Sequence, residues 1–227
     1  MKKSLFTIIV LVLLASCSVK TNEEKARDLI ESFLKNSLYS HYHYNPEQYT
    51  HAKIKLDSCF RDHKKINPEK LKFAIKAASL YKEYKNYILE AKKYQASRPK
   101  DMLSNYWCAH GEAILAANKK ANEIEKKIIE LIQKNIYLFD DSFYTNHEFI
   151  GWVGIYGKIN IYTLNFDERS SYLFFTDKDL KKIEYVFSGN DFELLGSVNY
   201  EHFKYDFGIN LREVLSELYD FYTDETR

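Results

Sequence analysis

The chain has 227 residues, with 33 Lys and Arg against 32 Asp and Glu, so its formal net charge is +1. This near-neutral balance argues against proteins that hold nucleic acid through a strongly basic face, and the length suggests one or two domains. The 19 Tyr and 15 Phe, beside only seven Gly and three Pro, indicate a folded chain with many half-buried aromatic rings.

The first seventeen residues have the layout of a bacterial export signal. Lys2 and Lys3 precede an apolar run that ends in Leu14-Ala15-Ser16-Cys17, which resembles a lipobox. The run is shorter than the roughly 20 apolar residues that a membrane-spanning helix needs, so residues 1–16 are predicted to be a cleaved signal peptide. The resemblance implies that Cys17 then carries a lipid anchor. The alternatives are a secretory signal with an unlipidated cysteine and an uncleaved anchor.

Residues 17–22 are predicted to form a short tether between the anchored Cys17 and the folded body. Five extended residues reach only about 17 Å, so the body is expected to lie close to its membrane. Without Lys2 and Lys3, the chain has 31 basic against 32 acidic residues. We therefore expect a lipid-anchored protein of the cell envelope. Ser18 does not resemble the aspartate of an inner-membrane retention signal, which favours the outer membrane.

Residues 23–140 are predicted to form a helical domain. Thr21 and Glu24 are spaced as a capping box, and the apolar positions that follow indicate a first helix. A stretch rich in Tyr and His comes next. Ile54 and Leu56 then alternate with polar residues, which suggests a short strand.

A long antiparallel helical hairpin is the main prediction for this part of the chain. Asn67-Pro68 has the residues of a helix start, and an apolar stripe follows it to about Tyr94. Ser97-Arg98-Pro99 interrupts the pattern before a second helix from about Asp101 to Asn135. One face of this helix repeats in steps of three and four, as in a coiled coil, at Ile114, Ala117, Ala121, Ile124, Ile128 and Leu131. The short break between the helices favours an antiparallel pair.

Glycine and strand-forming residues mark the last part of the chain, residues 148–227. Asp177-Lys178-Asp179 is interpreted as a hairpin turn, and Asn210 with Glu213 as the capping box of a closing helix. The predicted strands are Phe149–Tyr156, Ile159–Phe166, Ser171–Thr176, Ile183–Phe187 and Phe192–Tyr200. The predicted fold class is therefore α+β: a first helix, a long antiparallel helical hairpin, a small antiparallel sheet and a C-terminal helix.

The order of these elements resembles a class of uncharacterised bacterial lipoproteins. The resemblance covers most of residues 17–190 and rests on the helical hairpin, the Gly151-Trp152 strand pair and the hairpin around Phe174–Leu180. It implies a lipid-anchored envelope protein without an established activity or catalytic residues. The C-terminal helix lies beyond the part that the resemblance covers.

Two cysteines remain after Cys17 is lipidated. An oxidising compartment permits a disulfide between Cys59 and Cys108. This bridge would close a loop of about 49 residues, for which chain-entropy arithmetic gives roughly 4 kcal/mol of stabilisation. The alternatives are two buried thiols and a zinc site that also uses His63 and His110.

Other candidate metal and catalytic motifs are incomplete. His41-Tyr42-His43 could share a metal ion on a strand, but no further ligand stands at a diagnostic spacing. Lys182 and Ser188 follow Asp177 where an EF-hand loop needs Gly and Glu. The sequence has no G-x-S-x-G, no H-E-x-x-H, no P-loop and no G-x-G-x-x-G. We therefore predict no metal, no cofactor and no catalytic residue.

Aromatic residues are the best candidates for a binding surface, because such rings are common at interfaces. The predicted interaction surface consists of Tyr39, Tyr42, Tyr44, Tyr49 and Trp107. Together with the anchor and the coiled-coil pattern, it favours a non-enzymatic protein that binds an envelope protein partner through this surface or the hairpin. The alternative is a small ligand or glycan bound between sheet and helices, with Trp152 or Trp107 lining the site. A third hypothesis is an envelope hydrolase with an unfamiliar site.

Overall fold

The structure, a computed structural model, describes residues 20–38, 54–60, 66–97, 107–140, 148–157 and 172–223. Within these ranges it contains six α-helices, one 3-10 turn and a four-stranded antiparallel sheet. The predicted α+β class is therefore confirmed. The predicted signal peptide and Cys17 lie outside the described residues.

The elements begin and end close to the predicted positions in the first two thirds of the chain. In chain order they are α1 (Asn22–Leu38), β1 (Ile54–Phe60), α2 (Pro68–Ala96), α3 (Trp107–Asn135), the 3-10 turn (Ile136–Phe139), β2 (Phe149–Tyr156), β3 (Tyr172–Thr176), β4 (Ile183–Ser188), α4 (Gly189–Gly196), α5 (Tyr200–Phe207) and α6 (Leu211–Thr223). The capping box before α1 is present: the Thr21 hydroxyl accepts from the Glu24 amide at 3.2 Å, and the Glu24 carboxylate accepts from the Thr21 amide at 2.8 Å.

The helices α2 and α3 form the predicted antiparallel hairpin. Early residues of α2 contact the 3-10 turn that directly follows α3: the rings of Phe73 and Phe139 are 5.2 Å apart. Later in α2, the Tyr87 ring lies 5.2 Å from Lys120 Nζ, near the middle of α3. The predicted coiled-coil face of α3 supplies the buried residues Ala117, Ala121, Ile124 and Ile128. The spacing of small and branched residues therefore predicted both the helix and the face that it buries.

The four strands form one antiparallel sheet in the order β1-β2-β3-β4. β1 comes from the mainly helical part of the sequence and pairs with β2, so that Ile54 lies opposite Tyr156 and Cys59 opposite Gly151. The strand suggested by the alternation at Ile54 and Leu56 is confirmed. All five residues of β3 are buried, because this strand has neighbours on both sides and helices over both faces.

Different helices cover the two faces of the sheet. Neighbouring side chains of a strand point to opposite faces, so Leu173 and Phe175 pack in the core with α2 and α3, whereas Tyr172 and Phe174 pack with α1. The core on the α1 side consists of Ala26, Ile30, Leu34, Tyr156, Tyr172, Phe174 and Leu180. Segments 23–140 and 148–227 both contribute to both cores. Among the described helices, none is both long and apolar enough to cross a membrane.

The predicted strand Phe192–Tyr200 is wrong, because this segment contains α4 and the start of α5. The Asp191 carboxylate accepts from the Ser188 amide at 2.7 Å and from the Ser188 hydroxyl at 2.9 Å, which caps α4. Phe192 and Leu195, three residues apart, are then both buried on one face. A capping signal at Ser188 therefore decides the structure of a segment whose residues resemble a strand. The predicted strand Ile159–Phe166 lies outside the described residues.

The closing helix is confirmed as α6, which packs against α2 and α5. Its buried side chains include Leu211, Val214 and Leu218. Lys70 of α2 is also buried here, with 1% of its surface exposed, and its Nζ lies 2.8 Å from a carboxylate oxygen of both Glu213 and Glu217. This ion-pair group joins the start of α2 to α6.

Candidate functional site

A cleft of about 350 Å³ lies between the sheet and the start of α2, and we call it the sheet cleft. Its walls come from all four strands, from α2 and from the 3-10 turn. The polar and aromatic residues of its described lining include Asn67, Glu69, Tyr137, Trp152, Phe175, Thr176, Glu184 and Tyr185. Two carboxylates and two phenols from distant parts of the chain therefore meet at one place.

The start of α2 places Glu69 at the sheet cleft. The Asn67 side chain accepts from the amides of Glu69 at 2.8 Å and Lys70 at 3.2 Å, and Pro68 occupies the first helical position. The backbone amides of Glu69 and Lys70 therefore already have a hydrogen-bond partner within the protein. The cap that the sequence predicted thus also fixes one wall of the cleft.

Gly151 keeps part of the cleft free of side-chain atoms. Its φ of +150° is unusual for residues with a side chain, and a Cβ at this position would lie 2.0 Å from the Thr176 carbonyl oxygen. Because that atom belongs to the backbone of β3, no rotation of a side chain could relieve the contact. Glycine is therefore required where β2 and β3 meet at the cleft.

Trp152 borders the sheet cleft, but its ring packs with the core on the α1 side of the sheet. Its indole N–H donates to the Lys178 carbonyl at 3.1 Å, and its ring lies 5.5 Å from that of Phe149. On the hairpin side, the described lining contains the buried ring of Phe175 and the more accessible rings of Tyr137 and Tyr185.

Both phenols of the cleft remain protonated well above neutral pH. Burial raises the pKa of the Tyr137 and Tyr185 hydroxyls, and the negative charge of Glu69 raises both further. The Tyr137 hydroxyl lies 3.5 Å from a Glu69 carboxylate oxygen, which is a long contact that a bound hydroxyl group could replace. The phenols can therefore donate hydrogen bonds in the cleft.

The cleft combines hydrogen-bond acceptors and donors without a basic side chain in its described lining. Outside the lining, Lys182 Nζ lies 3.0 Å from the Glu184 carboxylate in an exposed pair, and Lys72 Nζ lies 5.5 Å from the centre of the Tyr185 ring. Among the described residues, no group of three His, Cys, Asp or Glu is placed to hold a metal ion. The arrangement suits neutral groups that both donate and accept hydrogen bonds.

The predicted aromatic interaction surface cannot be placed at this cleft. Tyr39, Tyr42, Tyr44 and Tyr49 lie outside the described residues, as do the histidines of the predicted metal alternatives before residue 64. Trp107 is the first residue of α3, and its side chain is not among the parts of the chain that the structure describes. The predicted surface therefore stays a prediction.

The disulfide also stays a prediction, because the side chain of Cys108 is not among the described residues. Cys59 is buried in β1, and its Sγ lies 3.7 Å from the Ile66 carbonyl oxygen, just before α2 begins. Cys108 lies in the first turn of α3, which the antiparallel register places beside the far end of α2. α2 has 29 residues and spans about 43 Å, whereas a disulfide needs Cα atoms within about 7 Å, so the described backbone argues against this predicted bridge.

The outer half of the hairpin extends beyond the main core. Within residues 82–96 of α2, only Ala91 is buried. Leu89 of α2 and Leu115 of α3 lie in this outer half and are 54% and 67% exposed. Two large apolar side chains on this part of the hairpin are thus available for contact with another molecule.

Sequence reasoning named Trp152 as a candidate wall of a ligand site, and Trp152 borders the sheet cleft, but it did not identify the carboxylates and phenols there. Glu184 and Tyr185 were considered only as strand residues, and Tyr137 only as the end of the helical segment. The alternation in β4, where Tyr185 and Phe187 share the hairpin side, was the available signal for Tyr185. The alternation predicts on which side of the sheet Tyr185 lies, but not which residue of α2 or of the 3-10 turn lies across the cleft from it.

The resemblance to bacterial lipoproteins rests on the order of the elements alone, so family membership stays a prediction. The function is therefore argued from the site itself. Comparison with protein-family models, with curated proteins and with solved structures finds no match to this chain.

Proposed function

We propose that this chain is a lipid-anchored envelope protein that binds a small saccharide in the sheet cleft and does not transform it. The observation that supports this function is the meeting of Glu69, Glu184, Tyr137 and Tyr185 around about 350 Å³ of space. Ligand pockets commonly have volumes of roughly 300–1,000 Å³, so this cleft suits a ligand of one or two sugar rings. The lipid anchor is the part of the proposal that rests on the lipobox alone.

The chemistry of the lining favours a saccharide over other small ligands. Sugar hydroxyl groups donate to carboxylates, here those of Glu69 and Glu184, and accept from phenols, here that of Tyr137. The apolar face of a sugar ring can pack on the Tyr185 ring, which is partly buried beside Phe175 and Phe187. An anionic ligand would instead face two carboxylates without a basic residue in the described lining.

The proposal predicts saturable saccharide binding that depends on the cleft. The full chain, anchored in phosphatidylcholine nanodiscs, is titrated with glucose, galactose, mannose, N-acetylglucosamine and their disaccharides, and binding is measured by saturation-transfer NMR and calorimetry. At least one saccharide should saturate. Glu184→Ala and Tyr137→Ala should each weaken its binding about tenfold, because each removes a hydrogen-bonding partner.

Exposed residues elsewhere provide the matched controls. Glu193→Ala on α4 and Tyr205→Ala on α5 remove the same groups outside the cleft and should leave the dissociation constant unchanged. Absence of saturation with every saccharide would contradict the proposal. Equal losses in the cleft and control variants would also contradict it, since the binding would then not depend on the cleft.

A protein partner is the second candidate function, and the exposure of Leu89 and Leu115 on the outer hairpin favours it. Cross-linked purification of the full chain from its own membranes, beside a Cys17→Ala variant, tests it. A stoichiometric protein should co-purify with the anchored form alone, and Leu89→Asp with Leu115→Asp should abolish its capture. Capture that persists in this double variant would exclude the outer hairpin as the contact surface.

A further inference from the structure

A second groove, of about 430 Å³, lies between α2 and the connection from α4 to α5, and we call it the lysine groove. Lys82, Lys85 and Lys92 of α2 and His202 of α5 line it. Its described lining contains no carboxylate and shares no residue with the sheet cleft. The groove therefore concentrates positive charge at a place that the proposed saccharide site does not use.

One of the three lysines is already paired behind the groove. Lys85 Nζ lies 3.2 Å from an Asp206 carboxylate oxygen, and the Tyr81 hydroxyl donates to the same oxygen at 2.9 Å. Lys85 also lies 5.0 Å from the centre of the Tyr81 ring. These contacts hold Lys85 in place, and the negative charge of Asp206 is paired with Lys85.

The other two lysines, Lys82 and Lys92, are accessible to a ligand. Within the described part of the chain, neither Lys82 nor Lys92 forms an ion pair, and both side chains are exposed. Asn199 lines the groove as the N-cap of α5, and its side-chain oxygen accepts from the His202 amide at 3.0 Å. The partial positive charge at the start of α5 has the same sign as the two lysines.

Apolar side chains share the groove with these charges. Ile88 and Leu89 of α2 and Val198 before α5 belong to its lining, and Leu89 is 54% exposed. A ligand with an anionic head and a short apolar part would neutralise the lysines and cover this surface. Inorganic phosphate would meet the charge of the lysines but would leave Ile88, Leu89 and Val198 uncovered.

From this juxtaposition we infer that the lysine groove binds a phosphate group that carries an apolar substituent. The phosphate oxygens accept from Lys82 and Lys92, and the apolar part packs on Ile88, Leu89 and Val198. Phosphate esters of this kind occur as membrane lipids and as soluble compounds. Both sources offer the groove the same chemistry.

The test uses the full chain in micelles of octaethylene glycol dodecyl ether, which contain no phosphate, with hexyl phosphate and inorganic phosphate as probes. Binding is followed by ³¹P NMR and calorimetry, with empty micelles subtracted. Hexyl phosphate should saturate and bind more tightly than inorganic phosphate. The double variant Lys82→Glu, Lys92→Glu should weaken binding of hexyl phosphate by about tenfold or more, because two charge-assisted contacts are lost.

Two further variants test whether binding depends on the residues of the lysine groove or only on the net charge of the protein. Lys119→Glu with Lys126→Glu makes the same change of net charge on exposed positions of α3 and should leave binding unchanged. Leu89→Ser should remove the preference for hexyl phosphate over inorganic phosphate. Phosphatidylglycerol added to these micelles identifies the source: competition with hexyl phosphate supports a lipid ligand in the groove, and its absence supports a soluble one.

Three results would overturn the inference. These are no saturation with hexyl phosphate, retained binding in the double variant of the groove, and an equal loss in the α3 control. Saccharide binding in the sheet cleft is measured separately, because none of these substitutions touches that cleft. A failure of the lysine groove can thus be distinguished from a failure of the proposed saccharide site.

Discussion

Lys70→Ala is expected to lower the free energy of unfolding by about 2–5 kcal/mol, because it removes a buried side chain and takes this cation away from the largely buried Glu217. Lys70 is 1% exposed and lies 2.8 Å from both Glu213 and Glu217, of which Glu217 has only 11% of its side chain exposed. Its Nζ also lies 5.3 Å from the centre of the Phe139 ring, so truncation removes packing as well as charge. Urea unfolding followed by circular dichroism measures the change.

The matched control is Lys76→Ala, an exposed lysine on the same helix, which should change stability by less than about 0.5 kcal/mol. Lys70→Met combined with Glu213→Gln and Glu217→Gln should recover much of the loss, since no charge is then buried without a partner. A loss below about 1 kcal/mol in Lys70→Ala would show that the two carboxylates do not depend on Lys70.

Gly154→Ala is expected to destabilise the protein by about 1–3 kcal/mol, because an added Cβ would lie 2.3 Å from the end of the Phe174 ring. Phe174 is directly opposite Gly154 in the β2–β3 pair, and its ring is fully buried in the core on the α1 side. The ring cannot move aside without disturbing that core. Thermal unfolding of the variant measures the effect.

A double-mutant cycle with Phe174→Leu assigns the cost to this contact. Leucine is smaller than phenylalanine, so the two substitutions together should cost less than the sum of their separate effects, by about 0.5–3 kcal/mol. Gly208→Ala is the control, since its Cβ would meet no atom within 4 Å, and it should be additive with Phe174→Leu. Additive costs for Gly154→Ala and Phe174→Leu would contradict the proposed contact.

Much of the secondary structure could be predicted from local signals. Asn67-Pro68 starts α2 because the amide side chain caps the first turn and proline fits the first helical position. Asp177 forms the predicted hairpin turn, since its carboxylate accepts from the amides of Lys181 at 2.7 Å and Lys182 at 2.9 Å. Each signal involves residues close in sequence, so it can be recognised without knowledge of any tertiary contact.

The candidate sites could not be predicted in the same way. The sheet cleft needs β1 beside β2, a pairing of Ile54 with Tyr156 across about a hundred residues of chain. The lysine groove needs α5 and the connection before it beside α2, and this connection was assigned to the predicted strand Phe192–Tyr200. Such contacts depend on the total packing of the chain, because no single pair of residues specifies them.

The sequence by itself determined the α+β class, the antiparallel hairpin with its buried face, and the position of most helix starts. Periodicity and capping depend on neighbours three or four residues away, which the sequence contains directly. Only the tertiary structure decided that β1 joins the sheet, that α1 covers its second face, and that Lys70 is buried. Each of these features depends on the free energy of burying apolar and charged groups and on the entropy of ordering the chain. These contributions come from segments far apart in sequence, so they are fixed only when the segments pack together.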